Sequence, residues 1–136
     1  MGETPATLSV MVVDDDELVR KVITIYFASK GYRVLAAASG QECLAQMSPN
    51  PPDAVLLDVT MPQMDGWEVC RRIRAFSAVP IIMLTARAQE ADRDTAVTVG
   101  ATAYVTKPVP LRELDARIRA LVAPPGPPNA VGDRDA

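Results

Sequence analysis

The chain has 136 residues, of which 49% are apolar and 23% are charged, so it has room for one compact globular domain. Its net charge of -3 argues against direct nucleic-acid binding by this segment, because such binding needs a basic surface. The chain contains no histidine, which excludes Ser–His–Asp triads, other histidine-based acid–base catalysis, most zinc sites and a phosphohistidine of its own.

The two cysteines, Cys43 and Cys70, are isolated in the sequence, which predicts free thiols packed into helices in a reducing compartment. No stretch approaches the roughly 20 apolar residues that span a bilayer. Residues 1–7 lack the charged and apolar regions of a signal peptide. We therefore expect a cytoplasmic protein with no membrane contact.

Five short apolar runs alternate along the chain with five helical patterns. The runs, at 8–13, 33–37, 53–57, 79–84 and 102–105, predict strands. Three of them read VMVV, AVLL and PIIML, and such continuously apolar runs are typical of strands covered by helices on both faces.

Apolar residues at helical spacing predict the five helices. The first stripe is Leu18, Val22, Ile23, Tyr26 and Phe27, followed by Gly31 as the end of the helix. Ser39 is placed as the N-cap of a helix over 42–47. The third stripe is Trp67, Cys70 and Ile73, with Arg71, Arg72 and Arg74 facing outward; the fourth helix covers 89–99; the fifth stripe is Leu111, Leu114, Ile118 and Leu121.

This alternation predicts an α/β fold, the flavodoxin-like (βα)5 arrangement. It has a doubly wound, five-stranded parallel sheet with strand order 2-1-3-4-5. The predicted domain covers 8–122. Residues 123–136 are rich in proline and glycine, which predicts a disordered tail or linker.

Polar side chains follow four of the five predicted strands. Strand one ends in Asp14, Asp15 and Asp16, strand three in Asp58, strand four in Thr85, and strand five in Thr106 and Lys107. Strand two ends in alanines, and the predicted strand order puts it at the edge of the sheet. Because open α/β sheets build sites at the carboxyl ends of their strands, we expect the four polar ends to be neighbours.

Three carboxylates close together repel one another unless a cation lies among them, and Mg²⁺ prefers such oxygen ligands. The alternative is a structural salt bridge from Lys107, which would satisfy one carboxylate and leave two uncompensated. For Asp16, a role as a helix cap is as good an explanation as a role at the site. For Thr85, Tyr104 and the Lys107–Pro108 bond, the residues alone leave both a structural role and a role at the site open.

Taken together, four motifs closely resemble the receiver domain of bacterial two-component response regulators. They are VVDDDE at 12–17, LLDVTMPQMDGWE at 56–68, LTA at 84–86 and GATAYVTKP at 100–108. Each motif is weak alone, but their order and spacing are highly specific, and the resemblance runs from about residue 8 to residue 122.

The resemblance implies that Asp58 is a phosphoacceptor that receives its phosphoryl group from a sensor histidine kinase or a phosphotransfer protein. It also implies that Mg²⁺, or Mn²⁺, binds to Asp14, Asp15, Asp58 and the backbone carbonyl of Thr60. Lys107 is implied to contact the phosphoryl oxygens, with a cis bond to Pro108.

The resemblance further implies a conformational switch. Thr85 is expected to bind the phosphoryl group and Tyr104 to turn inward, so that the face of helix four, strand five and helix five changes for a downstream effector or effector domain. Pro62 and Gly66 are expected to shape the loop after Asp58, and Thr60 and Arg87 to tune the lifetime of the phosphate. On this reading the chain is not an enzyme and dephosphorylates itself slowly at most.

Some residues depart from the pattern of the family. Thr102 and Ala103 replace an acidic pair that helps to form a dimer in many members, and Val109 replaces a frequent aromatic residue. These changes leave a phosphorylation-dependent homodimer open, although Arg93 and Arg117 are retained.

Other classes of function are less consistent with the sequence than the switch. A phosphatase of the haloacid dehalogenase type needs a second Asp two positions after the nucleophile, where this chain has Thr60. A degenerate receiver that binds partners without phosphorylation would lack an acidic or lysine position, and none is missing. A dinucleotide or flavin site is poorly supported, because no glycine-rich loop follows strand one.

Overall fold

The computed structural model describes residues 7–48, 51–86 and 90–122. Within them, five strands alternate with five helices. The elements are β1 (Ser9–Val13), α1 (Glu17–Ser29), β2 (Arg33–Ala37), α2 (Gly40–Gln46), β3 (Ala54–Asp58), α3 (Gly66–Arg74), β4 (Ile81–Thr85), α4 (Glu90–Val99), β5 (Ala103–Thr106) and α5 (Leu111–Val122). Arg87 and the predicted tail at 123–136 lie outside the described residues.

The strands form one parallel sheet in the order β2-β1-β3-β4-β5, so the predicted fold is confirmed. β1 pairs with both β2 and β3; Val10, for example, lies opposite Val34 on one side and Ala54 on the other. Every residue of β1, β3 and β4 is buried. This burial explains why their sequences are continuously apolar rather than alternating.

Alternate residues of the central strands supply two separate cores. Met11 and Val13 face a cluster that includes residues of α2, α3 and α4. Val10 and Val12 face a second cluster that includes residues of α1 and α5. Cys43 and Cys70 are free and buried in the first cluster, as predicted, and burial raises the pKa of Cys43 to about 12.

Three strands begin and end one or two residues later than predicted. β4 starts at Ile81 rather than at 79, because Pro80 has no N–H group to donate to the sheet. β5 starts after Thr102, whose hydroxyl instead accepts a 2.9 Å hydrogen bond from the Ile81 N–H. β3 starts after Asp53, whose carboxylate accepts a 2.8 Å hydrogen bond from the Ser9 N–H. Because of this shift, Asp58 is the last residue of β3 and Thr85 is the last residue of β4.

The predicted helix caps are present. Asp16 accepts hydrogen bonds from two backbone N–H groups of the first turn of α1, and Ser39 accepts one from Glu42. After α1, Gly31 has φ +94°, a conformation that a residue with a side chain adopts only with strain.

The predicted apolar stripe of α1 is only partly buried. Ile23 and Phe27 are in the core, whereas Leu18 and Val22 are 69% and 49% exposed. The helix is present as predicted, and Leu18 and Val22 line an open groove between α1 and the segment 107–111 that no element of the described chain fills. Among the described residues, no helix has both the length and the apolar character that crossing a membrane requires.

Arg74 was predicted to face outward with Arg71 and Arg72, and this was wrong. Its guanidinium donates hydrogen bonds to the carbonyl of Gly100 at 2.8 Å, to the carbonyl of Ser77 at 3.1 Å and to the hydroxyl of Thr102 at 3.2 Å. Carbonyl groups at the turn between α4 and β5 supply acceptors that the helical pattern alone does not reveal. Arg74 thus joins the end of α3 to that turn.

Candidate functional site

The carboxyl ends of the strands bring three carboxylates together at one edge of the sheet. Asp14 follows β1 and is 3% exposed, and Asp58 ends β3 and is 7% exposed, while Asp15 lies on the surface. One carboxylate oxygen from each lies within 4.8 Å of the other two. This clustering is what the strand order predicts, and the oxygen donors suit a hard divalent cation.

Lys107, which follows β5, reaches across the strand ends to this cluster. Its Nζ lies 3.2 Å from Oδ1 of Asp58 and 3.4 Å from Oδ2 of Asp14. The expectation that a lysine salt bridge would satisfy a single carboxylate was wrong, because the long side chain ends between two of them. One positive charge still faces three carboxylates, so the cluster remains negative.

Burial and charge shift the ionisation of both groups. Burial, and then the nearby carboxylate of Asp14, raise the pKa of Asp58 above its usual value, and Lys107 offsets this only in part. Burial acts to lower the pKa of Lys107, but the carboxylates of Asp58 and Asp14 outweigh it, so that the pKa of Lys107 is raised. Ionisation of Asp58 therefore lowers the free energy of unfolding.

The raised pKa of Asp58 predicts a pH-dependent effect of substitution. Because the pKa of Asp58 is raised, the native protein holds the Asp58 proton more tightly than the unfolded chain does. The free energy of unfolding therefore falls as the pH rises from the usual carboxyl pKa, about 4, through the raised pKa of the native state. Without divalent cations, we expect Asp58→Asn to have a larger free energy of unfolding than the native chain at pH 7. Urea unfolding between pH 4 and 8 should show this difference shrinking towards pH 4; a difference independent of pH would contradict it.

The backbone around Asp58 is held from two sides. The N–H of Val59 donates to the carbonyl of Leu84 at 3.0 Å, and the carbonyl of Val59 accepts from the N–H of Gly66 at 2.8 Å. A Cβ added to Gly66 would overlap the carbonyl oxygen of Asp58 and lie 2.9 Å from the Cα of Val59. Glycine is therefore required where the loop returns to Asp58.

Pro62 and Thr60 lie in the exposed part of this loop. The carbonyl of Pro62 accepts a 2.8 Å hydrogen bond from the N–H of Met64, and Gln63 between them has φ +70°. Pro62 thus begins a tight turn, and its role in shaping the loop stays a prediction. Thr60 lies two residues beyond Asp58, and Arg87, the second position expected to tune phosphate lifetime, lies outside the described residues.

The remaining predicted residues lie on β4 and β5. Thr85 is 1% exposed and lies opposite Thr106 in the sheet, and the N–H of Lys107 donates to its carbonyl at 2.6 Å. The Lys107–Pro108 bond is cis, the alternative that the resemblance implied. Tyr104 is half-buried and its ring packs on Trp67.

Arg20 is a residue of the site that the sequence reasoning missed. Its guanidinium donates a 2.8 Å hydrogen bond to the backbone carbonyl of Asp14 and so ties α1 to the end of β1 at the site. The sequence carried no specific signal for this contact, because an arginine on the first turn of a helix is equally typical of a solvent-exposed position.

Comparisons with known proteins give one consistent result. The family model described as the response regulator receiver domain matches residues 10–119. Probable transcriptional regulator ycf27 of Guillardia theta is 46% identical over 83% of this chain and 44% of its own length. Transcriptional regulatory protein AfsQ1 of Streptomyces coelicolor is 44% identical over 84% of this chain and 51% of its own length.

A solved structure gives the same result at the level of the fold. Chemotaxis protein CheY4 of Vibrio cholerae has a TM-score of 0.79 and 31% sequence identity, over 85% of this chain and 98% of that one. The chain thus spans about half the length of the two curated relatives but nearly all of the CheY4 chain.

Proposed function

The chain belongs to the response regulator receiver domain family, and on that premise we propose that it is a signalling switch in which Asp58 accepts a phosphoryl group. The observation that carries the proposal is the contact between Asp58 and Lys107, 3.2 Å apart, within a cluster of three carboxylates. The donor is the phosphohistidine of a sensor histidine kinase or of a phosphotransfer protein.

The side chains around Asp58 suit phosphoryl transfer. A carboxylate oxygen of Asp58 attacks phosphorus, a new P–O bond forms, and the P–N bond to the donor imidazole breaks. Such transfer needs chiefly an aligned nucleophile and positive charge on the phosphoryl oxygens. Lys107 can supply one such charge, because its ammonium lies 3.2 Å from a carboxylate oxygen of Asp58.

We propose that Mg²⁺, or Mn²⁺, is the cofactor, held by Asp14, Asp15, Asp58 and the backbone carbonyl of Thr60. When bound, the cation supplies positive charge to the carboxylates and to a phosphoryl oxygen. The convergence of the three carboxylates supports this proposal, since Lys107 alone leaves the cluster negative.

Magnesium should stabilise the native chain. At ten times its dissociation constant, a ligand that binds only the folded state raises the free energy of unfolding by about 1.4 kcal/mol. We expect that increase in thermal or urea unfolding with added Mg²⁺. Asp15→Asn, which removes an exposed carboxylate of the cluster, should weaken the effect. A native chain whose stability does not respond to Mg²⁺ would count against the site.

The added phosphoryl group would act as a new anion that biases the surrounding surface. We propose that Thr85 binds it and that Tyr104 responds, so that the face of α4, β5 and α5 changes. Thr85 ends β4 beside β3, and Tyr104 lies on the strand that leads to Lys107. A downstream effector, or an effector domain, would bind to that face.

We propose that the chain is an acceptor that dephosphorylates itself slowly at most, rather than a turnover enzyme. The haloacid dehalogenase alternative has no support, because its general acid would be at Thr60. A receiver that works without phosphorylation is not favoured either, because Asp14, Asp15, Asp58, Thr85 and Lys107 are all present.

The test is incubation of the native chain with acetyl phosphate and Mg²⁺, followed by mass spectrometry. We expect an adduct of about 80 Da, the mass of one phosphoryl group. No adduct should form when the divalent cation is removed with a chelator. Steady release of phosphate from a small phosphomonoester, without an adduct, would favour the phosphatase instead.

A further inference from the structure

The only tryptophan of the chain packs on Tyr104. The rings of Trp67 and Tyr104 are stacked, with centroids 6.3 Å apart and an angle of 23° between their planes. Both side chains are half-buried and pack against the same core cluster. Offset stacks at this separation are favourable beyond the area they bury, and each ring limits the rotation of the other.

Trp67 is tied closely to the backbone of Asp58. It is the second residue of α3 and directly follows Gly66, whose N–H donates to the carbonyl of Val59 at 2.8 Å. Gly66 lies so near the carbonyl of Asp58 that a Cβ would not fit. The backbone after Asp58 is therefore in direct contact with the start of α3, where the indole is attached.

Tyr104 is tied to the same site from the other direction. It lies three residues before Lys107, whose ammonium contacts Asp58, and two before Thr106, which lies opposite Thr85 in the sheet. The stack thus completes a continuous series of contacts. The series runs from Asp58 through α3 to β5 and then back to Asp58 through Lys107.

We propose that Trp67 is a positioning residue that holds the Tyr104 ring and couples its orientation to the loop after Asp58. This inference rests on the proposed function, because phosphorylation of Asp58 is the event that changes the loop. Two features distinguish this coupling from simple packing. Trp67 directly follows Gly66 in the chain, and its partner Tyr104 lies on β5, the strand that leads to Lys107.

The first test uses tryptophan fluorescence of the resting protein, which reports on Trp67 alone. Tyr104→Ala should shift the emission to longer wavelength, because the indole loses the ring that covers it and meets water. Tyr104→Phe keeps the stack and should leave the spectrum near that of the native chain. Identical spectra for the native chain and Tyr104→Ala would overturn the inference.

The second test adds acetyl phosphate and Mg²⁺ and follows fluorescence together with the mass adduct. We expect a change in emission in step with adduct formation in the native chain and in Tyr104→Phe. The change for each phosphorylated molecule should be largely lost in Tyr104→Ala.

The outcomes separate this inference from the proposed function. An adduct that forms in the native chain with no change in emission would overturn the coupling and leave the phosphoacceptor intact. An unaltered change in Tyr104→Ala would do the same. No adduct in the native chain would overturn the proposed function, and the coupling with it.

Discussion

Asp58→Asn should take up no phosphoryl group from acetyl phosphate and Mg²⁺, so that the adduct of about 80 Da expected of the native chain is absent. The amide has no anionic oxygen to attack phosphorus, and it adds no negative charge to the cation cluster. We expect the loss to be complete. Asp14 is the other carboxylate that contacts Lys107, at 3.4 Å, and it is a proposed ligand of the cation rather than a nucleophile.

Two controls make this loss specific. Asp94→Asn removes the same charge from an exposed position on α4 and should keep the adduct. Urea unfolding should show that Asp58→Asn is folded, and at pH 7 without divalent cations more stable than the native chain. An adduct that persists in Asp58→Asn, or that maps to a serine or threonine, would refute the assignment of Asp58.

Gly66→Ala should destabilise the fold by about 3 kcal/mol, the upper part of the usual range for overpacking. The new Cβ would overlap the carbonyl oxygen of Asp58 and crowd the Cα of Val59, and these backbone atoms are fixed by β3 and by the hydrogen bond to Leu84. Relief would require α3 to move away from Asp58. Slower phosphoryl uptake should therefore accompany the loss of stability.

Gly40→Ala is the matched control. Gly40 is also the first residue of a helix that follows a side-chain N-cap, so the change in helix propensity is the same at both positions. Its added Cβ would lie 2.6 Å from Cγ2 of Val69 and 3.0 Å from Sδ of Met64, so it meets side-chain atoms rather than the backbone of a central strand. We expect a cost of about 1 kcal/mol. Equal losses in the two variants, measured by urea unfolding, would contradict the backbone overlap.

Arg74 and Arg20 illustrate what a single sequence does not reveal. Both were readable as exposed helical cations, yet each donates to backbone carbonyls of another segment, at Gly100 and at Asp14. A helical pattern locates apolar residues because burial is periodic. It carries no information on where a long polar side chain finds an acceptor, since that depends on how the neighbouring turns and strand ends are placed in the folded chain.

The sequence by itself determined the fold and the cluster of carboxylates. Continuous apolar runs predicted strands covered on both faces, and the strand order then required Asp14 and Asp58 to meet at one edge. These predictions succeeded because burial and strand adjacency leave regular traces in a chain.

Only the tertiary structure decided the contacts within the site. Lys107 reaches two carboxylates rather than one, Leu18 and Val22 remain exposed beside a groove, and Trp67 stacks on Tyr104. Each of these features depends on the orientation of a side chain between elements that are far apart in sequence. Packing of the whole domain sets that orientation, and it leaves no periodic signal in the chain.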